Sequence, residues 1–468
     1  MRLLPAALSL AISMAFVQNA AAENILEIYQ DAVNNDLVMR AAKAELRAGQ
    51  EEANIALGAL LPQIGAGASY SDSESTNENP NNANTGVLDS SSVSTSWSIG
   101  LQQSLFDMGK WYTFKSSQKL SEQAEISFRQ NQQSLIVRTT TAYLDVLRAH
   151  NNLESSIAEE KAVKQQLDQT QQRFDVGLVA ITDVHESRAI YDLAQVSRLT
   201  YEGVLETSYE GLTVLTGRMY TNIQPLLKNI PITLPNPAER SAWQELAIQG
   251  NLDLRKARLA SQAAELGAKA AASLHLPTVT ASISHNESSL DEGTQFGQDL
   301  SGMETTGDSI SINLQIPIFS GGTISANRRK SYAQFDQARE TLGAAERGIT
   351  QQIRAAHIAV LTSIQEVAAR KQSITSAQSA VDAIQAGYNY GTRNIVDVLN
   401  AQRNLFSAQR DHANARYDYI LRLLELKQAA GVLTPADIQG LNQWISNSMN
   451  SKTNPALLPA SSRMKVSS

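Results

Sequence analysis

Residues able to do covalent chemistry are few and scattered. Histidines stand at 150, 185, 275, 285, 357 and 412, and none falls in the HExxH spacing that holds a catalytic zinc ion. With 0 Cys there is no thiolate nucleophile, no cysteine zinc site and no disulfide. Ser116 and Lys119 make the SxxK spacing of some serine hydrolases, but they lie on a long polar helical stretch without the companion motifs. No Walker loop is present, so any energy the protein uses must come from a partner. The sequence therefore predicts a non-enzyme with no cofactor and no metal.

The polar residues that recur in a fixed pattern do other work. QRFDVGLVAITDV (172–184) returns as AGYNYGTRNIVDV (386–398). Gly177 matches Gly391, Ile181 matches Ile395, and Asp183 matches Asp397. A glycine followed a few residues on by an acid reads as a turn between two helices. Thr182 and Asn394 sit where helix N-caps are expected. Asp183 and Asp397 then fall in first turns, where a carboxylate complements the helix dipole.

The elements that carry these turns are also written twice, with a period of about 214 residues. SWSIGLQQSLFDMGK (96–110) returns as SISINLQIPIFSGGT (309–323), Leu61-Pro62 as Leu276-Pro277, and Arg40 as Arg255. Each unit reads helix, strand, polar loop, strand, long helix, turn, helix. Residues 1–22 read as a secretory signal peptide, with Arg2, an apolar stretch and small residues before Glu23. The first repeat is 23–217 and the second 241–433. The stretch 218–240, with Pro225, Pro231, Pro235 and Pro237, reads as a linker. Residues 434–468 form a terminal segment and a Ser/Asn-rich tail expected to be disordered.

Four segments alternate with period 2: 64–70, 97–105, 278–283 and 309–318. One face is apolar and the other small and polar. In a membrane barrel the apolar face meets lipid and the polar face a watery lumen; in a soluble sandwich the apolar face meets a core. The loops 71–95 and 286–308 between them are rich in Ser, Asn, Asp and Gly. Helices of about 65 residues follow, roughly 100 Å long at ~1.5 Å per residue. Ile353, Val360, Val367, Ile374, Val381 and Tyr388 keep one heptad phase. Val146, Leu153, Leu167 and Phe174 keep it in the first copy, where Glu160 breaks it. Aromatics are only 6% and the net charge is -7 with no basic run, which suits long thin helices and excludes a nucleic-acid binder. Single-chain membrane barrels begin at about eight strands, so four strands must be shared between copies. Two, three or four copies all satisfy this arithmetic.

The segments LDQTQQRFDVGLVAITDV (167–184), AGYNYGTRNIVDVL (386–399) and LQQSLFDMGKW (101–111) resemble the outer membrane factor family of efflux proteins. So do ENILEIYQDA at the expected mature start and LLPQIGAGASY (60–70). The likeness covers the mature chain apart from the outer loops and the tail. It implies a mixed, mainly α fold: an outer-membrane β-barrel of twelve strands in a homotrimer, continued by a periplasmic α-helical barrel of coiled-coil hairpins. It also implies export of drugs, bile salts, dyes and, by type I secretion, polypeptides from a Gram-negative cell. The implied partners are outer-membrane lipid and a periplasmic membrane-fusion adaptor with an inner-membrane pump of the RND, ABC or MFS type.

By the same resemblance the hairpin turns close the periplasmic end. Tyr388 and Arg393 from the second turn, with Thr182 and Asp183 from the first, form the gate network, in which Arg393 can pair with Asp183. Asp397 forms a ring of carboxylates at the constriction. The family's second acidic ring, one helical turn on, is replaced here by Asn400. Adaptor tips dock at Val176, Gly177, Leu178, Asn389 and Gly391. Capping and gating can hold together at these positions. The competing readings are a periplasmic coiled-coil adaptor, which would carry one hairpin with globular β domains, and a structural envelope spacer.

Overall fold

A computed structural model describes residues 22–77, 88–227, 229–295 and 298–445. The signal peptide, the tips of both outer loops and the tail after 445 lie outside the described residues. The elements are α1 (Ile25–Asn35), α2 (Leu37–Gly58), β1 (Gln63–Asn77), β2 (Leu88–Phe106), α3 (Met108–Asp175) and α4 (Ile181–Thr216). They continue as α5 (Arg240–Gly250), α6 (Leu252–Ser273), β3 (Thr278–Gln295), β4 (Gln298–Asp299), β5 (Met303–Gln315), α7 (Thr323–Asn389), α8 (Ile395–Ala429) and α9 (Pro435–Asn442). The described residues form two compact units, those within 1–41, 130–251 and 349–468 in one and those within 42–129 and 252–348 in the other.

The second unit holds an antiparallel sheet in the order β1–β2–β3–β5, with β4 a short addition to β3. Its register sorts the side chains by face. Ile64, Leu101, Ile283 and Ile310 share one row, and Ala281 faces Ile312 in the next. Much of this face is open in the single chain: Ile310 is 81% exposed and Ile312 72%. On the opposite face serine hydroxyls pair across strands, Ser69 with Ser96 and Ser284 with Ser309 at 2.8 Å, and Ser282 with Ser311 at 3.0 Å. The acids Asp72, Glu74, Glu287, Glu304 and Asp308 fall on the apolar side, beyond or at the end of its apolar rows. An apolar face with a hydroxyl-lined reverse is the pattern of a strand between lipid and water.

The strands are longer than the alternation suggested. Most of 71–95 and 286–308, expected as loops, is ladder: Ser71 pairs with Ser94, and Glu287 with Thr306. Ser and Thr hydroxyls on both faces hide the period-2 signal without weakening backbone pairing. At the other end β5 stops at Gln315, short of the expected 318, because Pro317 cannot donate to a ladder. The SxxK pair is structural: Ser116 donates to the carbonyl of Ala263 at 2.8 Å, and Lys119 pairs with Glu122 at 2.7 Å.

The first unit is helical. Ile353 and Val360 are fully buried, Val367 and Tyr388 nearly so, and Val146 and Leu153 match them in the first copy. Glu160, which breaks the heptad, accepts an ion pair from Arg198 of α4 at 2.8 Å. One residue earlier, Glu159 pairs with Arg410 of α8 at 2.7 Å. The proline-rich stretch is packed and not a free linker: Tyr220, Ile223 and Ile230 are buried, and Glu23 bridges Ile223. The Tyr220 hydroxyl donates to Asp31 at 2.9 Å, and Arg218 pairs with Glu23 at 2.5 Å. Among the described residues no helix is long and apolar enough to cross a membrane.

Candidate functional site

Both recurrent turns lie in the helical unit and have the same backbone. In the first, the N–H of Leu178 reaches the carbonyl of Arg173 at 2.8 Å, and that of Gly177 reaches Phe174 at 2.8 Å. In the second, Thr392 reaches Gly387 at 2.9 Å, and Gly391 reaches Tyr388 at 3.0 Å. These nested bonds end a helix by turning its last carbonyls inward around a left-handed residue. Gly177 at φ 77° and Gly391 at φ 76° fill that position, where a Cβ would be strained.

The helices that leave the turns differ. Asn394 is the N-cap of α8, its side-chain oxygen accepting from the N–H of Asp397 at 2.8 Å. In α4 the cap is Ala180, not the expected Thr182, and no side chain caps the helix. The repeat carries the reason: counted from Gly177 and Gly391, Ala180 is the residue that matches Asn394. Thr182 lies inside the first turn of α4 and is exposed. Asp183 and Asp397 do occupy first turns.

The expected gate residues split into a buried and an exposed set. Tyr388 is 8% exposed and packs with Val163 of α3 and with Ile395, Val398 and Leu399 of α8. Ile190 and Tyr191 of α4 pack against the cluster, so all four long helices contribute to it. The Tyr388 hydroxyl is buried with no hydrogen-bond partner among the described residues. Arg393 is exposed, and its ion pair within the chain is with Asp397 at 3.9 Å. It is not paired with Asp183, which has no ion pair among the described residues. A Cβ on Gly387 would stand 2.8 Å from Cγ of Arg393, so the bare backbone at 387 makes room for that stem. Asn400, one turn beyond Asp397, is half-buried. Val176 and Leu178 are 69% and 74% exposed, and Asn389 and Gly391 are exposed beside them.

One contact has no counterpart among the sequence expectations. The Arg173 guanidinium lies over the Tyr388 ring, 4.9 Å from its centroid. The signal was in the repeat, where Arg173 stands opposite Gly387: the two turns differ there by a whole cationic side chain. Among the described residues no three His, Asp or Glu side chains come together to hold a metal. What the turns offer is a set of weak polar contacts around a packed aromatic, chemistry suited to holding and releasing helices.

The model of the family described as "Outer membrane efflux protein" matches this chain twice, over residues 28–218 and 243–432. Outer membrane protein TolC of Escherichia coli (strain K12) is 36% identical, over 97% of this chain and 91% of its own. The proteases secretion protein PrtF of Dickeya chrysanthemi is 27% identical, over 92% of each. In fold, the Campylobacter jejuni CmeC outer membrane channel superposes with a TM-score of 0.72 over 92% of each chain, at 17% identity. The tandem pattern first seen in the two turns is thus the family's own pattern over most of the chain, which belongs to the outer membrane efflux proteins.

Proposed function

We propose that this chain is one protomer of a homotrimeric outer-membrane channel for efflux and type I secretion, closed at its periplasmic end by the two hairpin turns. The sheet supports a shared barrel. Its edge strands β1 and β5 have no partner on their outer sides among the described residues, and an open edge in lipid leaves unpaired backbone groups that cost several kcal/mol each. Neighbouring copies supply the missing strands. The family described as outer membrane efflux proteins, and the relative named for protease secretion, support the two classes of cargo.

The observation that carries the gate is the division of labour at Tyr388 and Arg393. A buried ring fixes where the turns sit, while Arg393 and Thr182 are exposed, Asp183 and Asp397 are half-buried, and the Arg393–Asp397 pair is loose at 3.9 Å. An exposed ion pair contributes about 1 kcal/mol or less, so a partner making modest differential contacts can shift the equilibrium. Val176, Gly177, Leu178, Asn389 and Gly391 present the turn backbones and apolar tips on which a periplasmic adaptor, coupled to an inner-membrane pump of RND, ABC or MFS type, would dock. Asp397 lines the constriction.

Single-channel conductance in a planar bilayer tests this. The wild type should pass a small current, and Arg393→Ser combined with Tyr388→Phe should raise it several-fold. No pore in either protein would overturn the channel, and a pore indifferent to the substitutions would return these residues to helix capping.

A further inference from the structure

We infer that Arg173 is a positioning residue of the gate, clamping the first hairpin to the second through the face of Tyr388. The inference rests on the proposed gate and adds a residue to it. Arg173 ends α3, and Tyr388 ends α7, so the two belong to different hairpins of one protomer. Both sit within the nested turns: the Arg173 carbonyl accepts from Leu178, and the Tyr388 carbonyl from Gly391. Backbone geometry therefore fixes where each side chain starts.

Three observations make the contact more than proximity. The guanidinium is 4.9 Å from the ring centroid, within the range over which a cation is attracted to an aromatic face. Arg173 has no ion pair among the described residues, so no carboxylate competes for it. The Tyr388 hydroxyl is buried without a hydrogen-bond partner among the described residues. Within the protomer, then, no hydrogen bond locates the hydroxyl end of the ring. Apolar packing holds one side and Arg173 the other. Packing against Val163, Ile395 and Leu399 tolerates sliding, whereas a flat guanidinium over a ring is directional. For α7 and α8 to swing away from α3, the ring must leave the guanidinium. Arg173 thus adds to the energy gap between closed and open.

The test uses the intact channel in planar bilayers, with Arg173→Ala, Arg173→Lys, Tyr388→Leu and Arg173→Ala/Tyr388→Leu beside wild type. Arg393→Ser/Tyr388→Phe serves as the gate control. Arg173→Ala should raise the ratio of open to closed time about 5- to 10-fold; a tenfold change corresponds to about 1.4 kcal/mol. Arg173→Lys, which keeps the charge and loses the flat fork, should give a smaller rise. In the Tyr388→Leu background the Arg173→Ala step should have no further effect. If the gate control opens and Arg173→Ala does not, the gate stands and the clamp falls. An equal effect of Arg173→Ala with and without the ring would also overturn the clamp, because Arg173 would then act elsewhere. A loss of trimer heat stability with unchanged gating would assign Arg173 a structural role only. If the control fails to open, the gate reading falls and the clamp with it.

Discussion

Arg393, the residue before the N-cap of α8, stands 3.9 Å from Asp397 in the first turn of that helix, the cation exposed and the carboxylate half-buried. The cation therefore partly neutralises the carboxylate that we propose lines the constriction. Removing it should do two things at once. Arg393→Ser should loosen the closed state and also leave each Asp397 unscreened, so cation selectivity should rise along with conductance. Asp397→Asn should lower selectivity. Reversal potentials in a salt gradient read this directly. A drop in selectivity on Arg393→Ser would separate Asp397 from the conduction path.

Asn400 follows Asp397 by three residues, about one turn of α8. It keeps the size of an aspartate and lacks its charge. Asn400→Asp should therefore add a second carboxylate ring and strengthen block by multivalent cations several-fold, most strongly at low salt, where screening is weakest. A titration with a trivalent cation on both proteins checks it. Unchanged block would remove Asn400 from the lumen.

The caps supply a paired prediction. Asn394→Ala removes the side-chain acceptor for the Asp397 N–H and should destabilise α8 by about 1 kcal/mol. Ala180→Asn supplies the acceptor that α4 lacks and should stabilise by about 0.5–1 kcal/mol. Hydrogen exchange at the first turns of α4 and α8 separates the two effects. The Ala180 change should slow exchange at Asp183 and leave Asp397 untouched.

The two caps also show how far the sequence could be read. Periodicity was enough for the long helices and the inner parts of the strands, because heptads and alternation are one-dimensional signals. The same repeat placed both turns, yet spacing alone put the first cap at Thr182, two residues late, because threonine is a good cap and alanine a poor one. Strand length was hidden where Ser and Thr occupy both faces. The Arg173–Tyr388 contact joins residues 215 positions apart and depends on which helix faces meet, which no local pattern encodes. The pairing of Arg393 with Asp397 is local by contrast, an i,i+4 spacing, but the spacing equally allowed Arg393 to reach another helix.

The two faces of the sheet should respond oppositely to charge. Ile312 is 72% exposed on the apolar face, and its neighbour Ser311 pairs with Ser282 on the hydroxyl face. A lysine facing lipid near mid-membrane costs about 2–4 kcal/mol. Ile312→Lys should lower the stability of the folded barrel by that order, while Ser311→Lys should fold normally and alter conductance. Refolding into lipid bilayers across a urea series measures the first, and planar-bilayer current the second. Comparable penalties on the two faces would contradict the assignment of lipid and lumen.

His412 gives the helical unit a pH dependence whose sign can be worked out. Burial is the main cause that pushes its pKa below the ordinary histidine value of 6.5, and Arg416 and Lys371 push the same way. The folded state therefore favours the neutral ring and, over the range between the two values, binds fewer protons than the unfolded chain. Stability rises with pH wherever the unfolded state binds more protons. The contribution of His412 is complete above about 6.5 and is lost progressively as the pH falls from there through the lower folded value. His412→Gln, similar in size and without a titrating group, should flatten this part of the profile while leaving stability at pH 8 nearly unchanged. Thermal or urea unfolding of the detergent-solubilised trimer between pH 5 and 8 reads the difference. A parallel loss in both proteins would place the acid sensitivity on groups other than His412.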